Sequence, residues 1–203
     1  NDLFARYISG KDIPQSYAMA IARQESAWNP KVRSPVGASG LMQIMPGTAA
    51  HLGLPMSMIH EPEANVAAAA RYMAELQGHF SDVGDPSQRM LFALASYNGG
   101  YFHIRDAMSL ARKHGQNPHN WGVIRNYILR LSQPAYYTDP VVKYGYMRGT
   151  ETVDYVDRIR ARWGEYSGGS GFHESLRGSS MGSGSFHGAP VKSKRHYQNK
   201  YHI

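Results

Sequence analysis

A single acidic residue, Glu25, ends an otherwise apolar run in the stretch RQESAWNP, residues 23–30. At helical spacing, Ala18, Ile21 and Ala22 lie on the same face as Glu25, so this face is expected to point to the protein interior. A carboxyl group in such a place is partly removed from water, which favours its neutral form and suits a general acid. A structural Glu that bonds backbone amides or pairs with an Arg is the alternative interpretation.

The stretch that follows contains no Asp or Glu before Glu61. Most glycosidases flank the reacting bond with two carboxylates, so a cleft lined by this stretch would lack the second one. Its polar side chains are uncharged or basic, and such a set can bind a sugar polymer that carries acetamido groups. These residues are Asn29, Lys31, Arg33, Ser34, Ser39, Gln43 and Thr48.

Other reaction types lack their characteristic residues. The sequence has no Cys, and it contains no Gly-x-Ser-x-Gly motif, no phosphate-binding glycine loop and no His-Glu-x-x-His. The stretch SDVGDPSQ, residues 81–88, has two Asp without the alternation of a calcium loop, and the histidines lack the spacing of a metal site. We therefore expect chemistry that needs neither a metal nor a cofactor.

Helical periodicity dominates the elements that must position these residues. After the helix that carries Glu25 comes a Gly- and Pro-rich stretch, which predicts a long loop, and then further helical patterns. The best strand signal is the short segment PVVKYGYM, residues 140–147. The sequence predicts a mainly α domain of about seven helices. The later helical patterns cover residues 66–80, 87–98, 101–113, 121–131 and about 150–163.

The C-terminal segment differs in composition from the rest of the 203 residues. Residues 167–203 are rich in Gly and Ser and show no apolar period, which predicts a disordered basic tail after a domain at residues 1–166. The tail has five Lys and Arg against one Glu, so it carries +4 of the formal net charge of +7. The remaining +3 suits an acidic partner such as nucleic acid, an anionic membrane or a cell-wall polymer.

The ends of the sequence say little about its location. No apolar stretch is long enough to span a membrane, and the first residue is Asn1, with no signal-like apolar segment after it. We therefore expect a processed product or part of a longer chain. The lack of Cys excludes disulfides but leaves the cellular compartment open.

Four short motifs occur in a fixed order: QES at residues 24–26, GLMQIMPGTA at 40–49, SYNGG at 96–100 and ETVDYVDRI at 151–159. In this order they resemble the four motifs of the family 1 lytic transglycosylases, over roughly residues 3–165. The resemblance implies a goose-lysozyme-like α fold with a substrate cleft. It also implies cleavage of the MurNAc-(β1,4)-GlcNAc bond of peptidoglycan, with formation of a 1,6-anhydroMurNAc end.

The resemblance also assigns roles to individual residues. Glu25 matches the family's single catalytic acid, which first protonates the glycosidic oxygen and then, as a base, takes the proton of the C6 hydroxyl group. The substrate-binding residues that the resemblance implies are Ser34, Gln43, Met45, Tyr97, Asn98 and Tyr155.

Several of these assignments have a structural alternative. Ser34 is equally compatible with a turn serine, and Tyr155 is compatible with a core aromatic residue. Leu41 and Met42, within the second motif, are expected in the core. Ser96 replaces the alanine that is usual in the third motif, a change that concerns packing.

Residues 131–151 most resemble the membrane-bound F type of the family, whose parent chains carry an amino-terminal solute-binding-like domain. The expected substrate is the glycan strand of peptidoglycan, with no nucleic acid, and the expected state is a monomer. The expected location is the periplasm, with outer-membrane association through a parent chain or lipid anchor. The alternatives are a hydrolytic muramidase of the same fold and a peptidoglycan-binding module without turnover. A nucleic-acid-binding protein is the weakest alternative, because the basic residues form no clear stripe with interleaved aromatics.

Overall fold

The computed structural model describes residues 2–8 and 14–166 of the chain. The predicted tail, residues 167–203, lies outside the described residues, so its disorder stays a prediction. Within the described ranges the chain folds into nine α-helices and one 3₁₀ turn, Met56–Met58. The α-helices are α1 (Asp2–Ile8), α2 (Gln15–Ser26), α3 (Pro46–His51), α4 (Pro62–His79), α5 (Pro86–Gly99), α6 (Tyr101–Lys113), α7 (Trp121–Arg130), α8 (Pro134–Tyr137) and α9 (Gly149–Tyr166).

The helical patterns of the sequence correspond to α2, α4, α5, α6, α7 and α9, which confirms a mainly α domain. Residues 2–8 and 14–166 form nine α-helices, whereas the sequence predicted about seven in the domain, because the short helices α1, α3 and α8 were not predicted. A helix of four to seven residues has too few apolar positions to show a period. The predicted long loop is present at residues 27–45, between α2 and α3.

The strand prediction at residues 140–147 is wrong: this segment is an irregular loop between α8 and α9. Two of its backbone N–H groups donate hydrogen bonds to a side chain instead of to a neighbouring strand. The carboxylate of Asp106 accepts hydrogen bonds from the N–H groups of Lys143 (3.0 Å) and Tyr144 (2.8 Å). The two valines that indicated a strand pack against the helical core, because β-branched residues suit any half-buried surface.

α5 is the central helix of the core, and every residue from Met90 to Asn98 is buried. It packs against α4, α6 and α9. Its N-terminus is capped by Asp85, whose carboxylate accepts from the N–H of Ser87 at 2.8 Å. After α5, Gly100 has a φ of +95°, which suits glycine and lets the chain turn directly into α6. The third motif, residues 96–100, therefore lies at the end of this central helix.

α2 and α9 pack against each other, and ring and polar contacts reinforce the pair. The ring of Tyr17 stacks on that of Trp163, with 4.7 Å between centroids and 9° between planes. Arg162 donates a hydrogen bond to the side-chain oxygen of Gln24. These contacts hold the helix that carries Glu25 in a defined position on α9.

The apolar stripe predicted on α9 is buried at Val153, Val156 and Ile159, while Trp163 is half-buried against the core. At the start of the helix, a Cβ on Gly149 would lie 2.0 Å from a backbone carbonyl oxygen of α7. Only glycine allows α9 to approach α7 this closely. The position of α9 is thus set at its first residue.

Candidate active site

Glu25 lies in the last turn of α2. Ala18, Ile21 and Ala22, on the same face, have no exposed surface, as their spacing predicted. The side chain of Glu25 is half-buried, and its Oε2 atom is buried. The candidate acid is therefore partly shielded from water, as a general acid requires.

α2 ends in a reversal made by Ala27 and Trp28, whose φ angles are +49° and +67°. A left-handed backbone costs a non-glycine residue roughly 1 to 2 kcal/mol, so surrounding contacts must hold this turn. The ring of Trp28 contacts the rings of Phe4 and Tyr166, with centroid distances of 5.8 and 6.3 Å. The turn fixes the direction in which the long loop leaves α2.

The long loop is a compact structure with its own hydrogen bonds. Ser39 and Ile44 exchange two backbone hydrogen bonds of 3.0 Å each. Gln43 is 6% exposed and has a φ of +50°, and its Nε2 donates to the carbonyls of Val32 and Gly40, both at 3.0 Å. Gln43 therefore shapes the loop with its amide nitrogen, a role that its motif did not reveal.

Asn65 on α4, which lies outside all four motifs, holds the same loop through hydrogen bonds. Its side chain has no exposed surface, and its Nδ2 donates to the carbonyls of Ser39 (3.1 Å) and Ile59 (2.8 Å). Its Oδ1 accepts from the N–H of Met42 at 2.8 Å. A Cβ on Gly40 would lie 2.3 Å from that Nδ2, so the second motif needs glycine here. The available signal was an amide side chain at the start of a long apolar helical run.

The third and fourth motifs meet around this loop. The hydroxyl of Tyr97 donates to the carbonyl of Met42 at 2.7 Å, and the hydroxyl of Thr152 donates to Oδ1 of Asn98 at 2.8 Å. Tyr97 and Asn98 are each 8% exposed. Leu41 and Met42 are buried, as expected for core residues. These contacts bring the second, third and fourth motifs to one place in the fold.

The two remaining loop residues of the predicted site lie at turns. Met45 is half-buried and directly precedes α3, where its carbonyl accepts from the N–H of Ala49 at 2.9 Å. The Oγ of Ser34 accepts from the N–H of Ala38 at 2.9 Å, which confirms the turn role of Ser34. A hydroxyl group that accepts one bond can still donate its proton, so binding of substrate by Ser34 stays a prediction.

Tyr155 lies on the buried side of α9, with 3% of its surface exposed and its hydroxyl oxygen buried. α9 packs against both α2 and α5, so it joins the helix of Glu25 to the helix of the third motif. The burial of Tyr155 agrees with a core role and also with a position near the acid. Its contribution at the acid therefore stays a prediction.

Burial changes the acid–base properties of two groups between α2 and α9. It raises the pKa of Tyr17 to about 12, so this hydroxyl stays neutral at physiological pH. Burial, together with the neighbouring charge of Arg23, lowers the pKa of Arg162. Arg162 still carries its charge, because a guanidinium group loses its proton only far above neutral pH. Charged groups of both signs thus lie near Gln24, because Glu165 on α9 pairs with Arg23 at 3.9 Å.

Residues 2–8 and 14–166 contain no group of three or more His, Asp or Glu that could hold a metal ion. In the same part of the chain, none of the helices is both long enough and apolar enough to cross a membrane. The buried side chains that hydrogen-bond the backbone of the long loop carry amide or hydroxyl groups, and they include Gln43, Asn65 and Tyr97. Such groups suit hydrogen bonding to an uncharged polar ligand.

Comparison with known proteins relates these features to a family. A family model described as the transglycosylase SLT domain matches residues 2–120. Over 159 residues the chain is 38% identical to membrane-bound lytic murein transglycosylase F of Shewanella loihica, a match covering 78% of this chain and 32% of the relative. Over 113 residues it is 51% identical to the soluble lytic murein transglycosylase of Escherichia coli, a match covering 52% of this chain and 17% of the relative.

The fold has a similar solved structure. The crystal structure of the 70 kDa soluble lytic transglycosylase from Escherichia coli is 36% identical, with a TM-score of 0.58 over 83% of this chain and 24% of that chain. The chain thus spans about a third of the length of these proteins or less. The helical, lysozyme-like fold implied by the motifs is confirmed. Because the family model covers more than half of its residues, the chain belongs to the transglycosylase SLT domain family.

Proposed function

We propose that residues 1–166 form the catalytic domain of a peptidoglycan lytic transglycosylase. The observation that carries the proposal is Glu25, a half-buried carboxyl group at the end of α2. No other Asp or Glu occurs between residues 13 and 60, so the loop beside it supplies no second carboxylate. The relatives named above act on murein, which is peptidoglycan.

In the proposed reaction the carboxyl proton of Glu25 passes to the oxygen of the MurNAc-(β1,4)-GlcNAc bond as that bond breaks. The oxygen of the substrate's own acetamido group bonds to C1 of MurNAc, in place of the second carboxylate of other glycosidases. The carboxylate of Glu25 then takes the proton of the C6 hydroxyl group, whose oxygen attacks C1 and displaces the acetamido oxygen. The products are a 1,6-anhydroMurNAc end and a GlcNAc end, and no water is consumed.

The side chains gathered around the long loop are assigned to substrate binding, because amide and hydroxyl groups can bond acetamido groups and sugar hydroxyls. Tyr155 is assigned to the acid, since its helix packs against the helix of Glu25. No metal or cofactor takes part in the proposed reaction. The substrate-binding set is Ser34, Gln43, Met45, Tyr97, Asn98 and Tyr155.

Glu25→Gln tests the proposal, because an amide keeps the shape and hydrogen bonding of the side chain but has no proton to deliver. The measurement is mass spectrometry of the soluble products released from purified peptidoglycan sacculi. The wild type should release fragments with anhydroMurNAc ends, and Glu25→Gln should fold normally and release almost none. Glu61→Gln, which alters an exposed Glu, is the matched control and should retain wild-type activity. Activity of Glu25→Gln within about tenfold of the wild type would refute the assignment.

The same product analysis separates the alternatives. Reducing MurNAc ends would indicate a hydrolytic muramidase of the same fold, and binding of sacculi without release would indicate a binding module. We also infer a periplasmic location, because the proposed substrate lies outside the cytoplasmic membrane. The excess of positive charge suits this acidic polymer.

A further inference from the structure

The loop between α8 and α9, residues 138–148, presents two exposed aromatic side chains. Tyr144 and Tyr146 expose 45% and 46% of their surfaces. Single exposed apolar residues are common, but this loop exposes two large rings only two positions apart in sequence, and exposed aromatic rings favour contact with a ligand. The proposed reaction at Glu25 gives these two rings no role.

Buried polar and aromatic contacts hold Tyr144 in place. The carboxylate of Asp106, which is 3% exposed, accepts from the N–H groups of Lys143 and Tyr144 at 3.0 and 2.8 Å. The ring of Phe102 stacks on the ring of Tyr144, with 4.5 Å between centroids and 17° between planes. One face of Tyr144 is therefore covered, and its exposure comes from the other side. A ring held in this way loses little freedom when a ligand binds.

The loop also continues the candidate active site. The ring of Tyr146 makes an edge contact with Tyr137, at 5.8 Å between centroids. The next residue, Met147, is buried, and its Cε lies 2.4 Å from where a Cβ on Gly99 would be. Gly99 directly follows Asn98 of the third motif. The two exposed tyrosines are thus connected to the end of α5 through one buried side chain.

The chemistry of these two exposed rings suits a glycan. A pyranose ring has an apolar face of C–H groups, which packs against an aromatic ring and removes apolar surface from water. In the sequence, the exposed residues Lys143 and Arg148 flank the two tyrosines. Peptidoglycan strands carry lactyl groups and peptides with carboxylates, which these two cations can pair with.

We propose that Tyr144 and Tyr146 form an accessory glycan-binding surface, which holds the peptidoglycan strand at sugars remote from the bond cleaved at Glu25. A long strand occupies this surface and the site together, whereas a short oligosaccharide occupies the site alone. Joining two contacts on one strand raises the affinity for long strands. The inference rests on the proposed function for its choice of ligand.

The experiment compares the wild type with the double variant Tyr144→Ala/Tyr146→Ala on peptidoglycan strands fractionated by length. We expect KM for long strands to rise by about tenfold, since each lost ring contact weakens binding by a few-fold. kcat on long strands and kcat/KM on a tetrasaccharide should stay at wild-type values. Tyr144→Phe/Tyr146→Phe is the matched control and should behave like the wild type, because it keeps both rings. Thermal unfolding of both variants shows whether the fold is kept.

An unchanged KM for long strands in the folded alanine variant would overturn the proposal. An equal loss on the tetrasaccharide would also overturn it, because the tyrosines would then act at the site itself. Retained strand binding together with a tyrosine-dependent affinity for duplex DNA would identify a nucleic-acid surface instead. Binding of long strands to the Glu25→Gln variant is measured separately. Tyrosine-dependent binding there would uphold this surface even if the transglycosylase reaction were not found.

Discussion

The hydroxyl of Tyr97 donates a 2.7 Å hydrogen bond to the backbone carbonyl of Met42, which lies 55 positions earlier in the chain. The N–H of Met42 donates in turn to Oδ1 of Asn65, at 2.8 Å. Side chains from α5 and α4 thus hold the peptide groups on both sides of Met42. The next residue, Gln43, belongs to the predicted site, so the shape of that part of the site depends on two other helices.

Tyr97→Phe should lower the free energy of unfolding by about 1 to 3 kcal/mol, because it leaves a buried carbonyl without its donor. Turnover of peptidoglycan should fall as well, since Gln43 follows Met42. Denaturant unfolding and product release measure the two effects. Tyr136→Phe, a half-buried tyrosine of α8, is the control and should change neither quantity. A Tyr97→Phe variant of wild-type stability would show that the bond to Met42 is unimportant.

Asn65→Asp should destabilise the fold more at pH 7 than at pH 5. The substitution removes two donated bonds and places a carboxylate among backbone carbonyls, which favours its neutral form. The folded-state pKa of the new carboxyl group then lies above its unfolded value of about 3.9. A raised folded pKa gives a stability contribution that is lost as the pH rises. Unfolding curves of variant and wild type at both pH values test this, and a difference independent of pH would contradict it.

Tyr155→Phe should keep the fold and reduce turnover by roughly ten- to a hundredfold, the value of one hydrogen bond to a charged group. The product should still be the anhydro sugar, because the ring-closing hydroxyl belongs to the substrate. Turnover on sacculi and the melting temperature are measured together. Wild-type turnover with a lowered melting temperature would show that the Tyr155 hydroxyl serves only the core.

Ser96→Ala should stabilise the protein by about 1 kcal/mol, which raises the melting temperature by roughly 2 to 4 °C in a domain of this size. The Oγ of Ser96 is buried and has no hydrogen-bond partner among the residues that the structure describes. Its removal therefore abolishes a desolvation cost. Calorimetry of the wild type and the variant measures the two melting temperatures. A lower melting temperature in Ser96→Ala would show that the Ser96 hydroxyl bonds a polar partner such as a bound water.

Asp82→Asn should destabilise the protein at neutral pH and become harmless in acid. Arg105 donates two bonds to Asp82, at 2.8 and 2.9 Å, and these lower the pKa of the Asp82 carboxyl group. A carboxyl group whose pKa is lower in the folded state stabilises the fold at pH values above its unfolded pKa of about 3.9. This contribution disappears as the pH falls. Because the pair is partly exposed, the difference at pH 7 should be at most about 1 kcal/mol and should shrink in high salt. If the difference in unfolding free energy between wild type and Asp82→Asn were equal at pH 7 and pH 2, the pair with Arg105 would not be its cause.

Much of the helical fold follows from local patterns in the sequence. The apolar face of α2 is buried as its spacing predicted, and so is the stripe that runs from Val66 on α4 to Phe80 directly after that helix. A helix repeats every 3.6 residues, so neighbours in sequence alone determine which side chains share a face. The lack of any acid between Glu25 and Glu61 is also visible in the sequence, because it depends only on residue type and order.

The contacts that shape the site depend instead on packing between distant segments. The N–H of Met42 donates to Asn65 across 23 positions, and its carbonyl accepts from Tyr97 across 55 positions. No local sequence pattern indicates which donor meets which acceptor. The strand predicted at residues 140–147 is absent for the same reason, because pairing between distant segments cannot be read from the local sequence. β-branched and aromatic residues form a strand only where a neighbouring strand can pair with them, and here buried Asp106 takes two of the N–H groups. The packing of the helices determines which donors and acceptors meet, so the hydrogen-bond partners are known only from the complete fold.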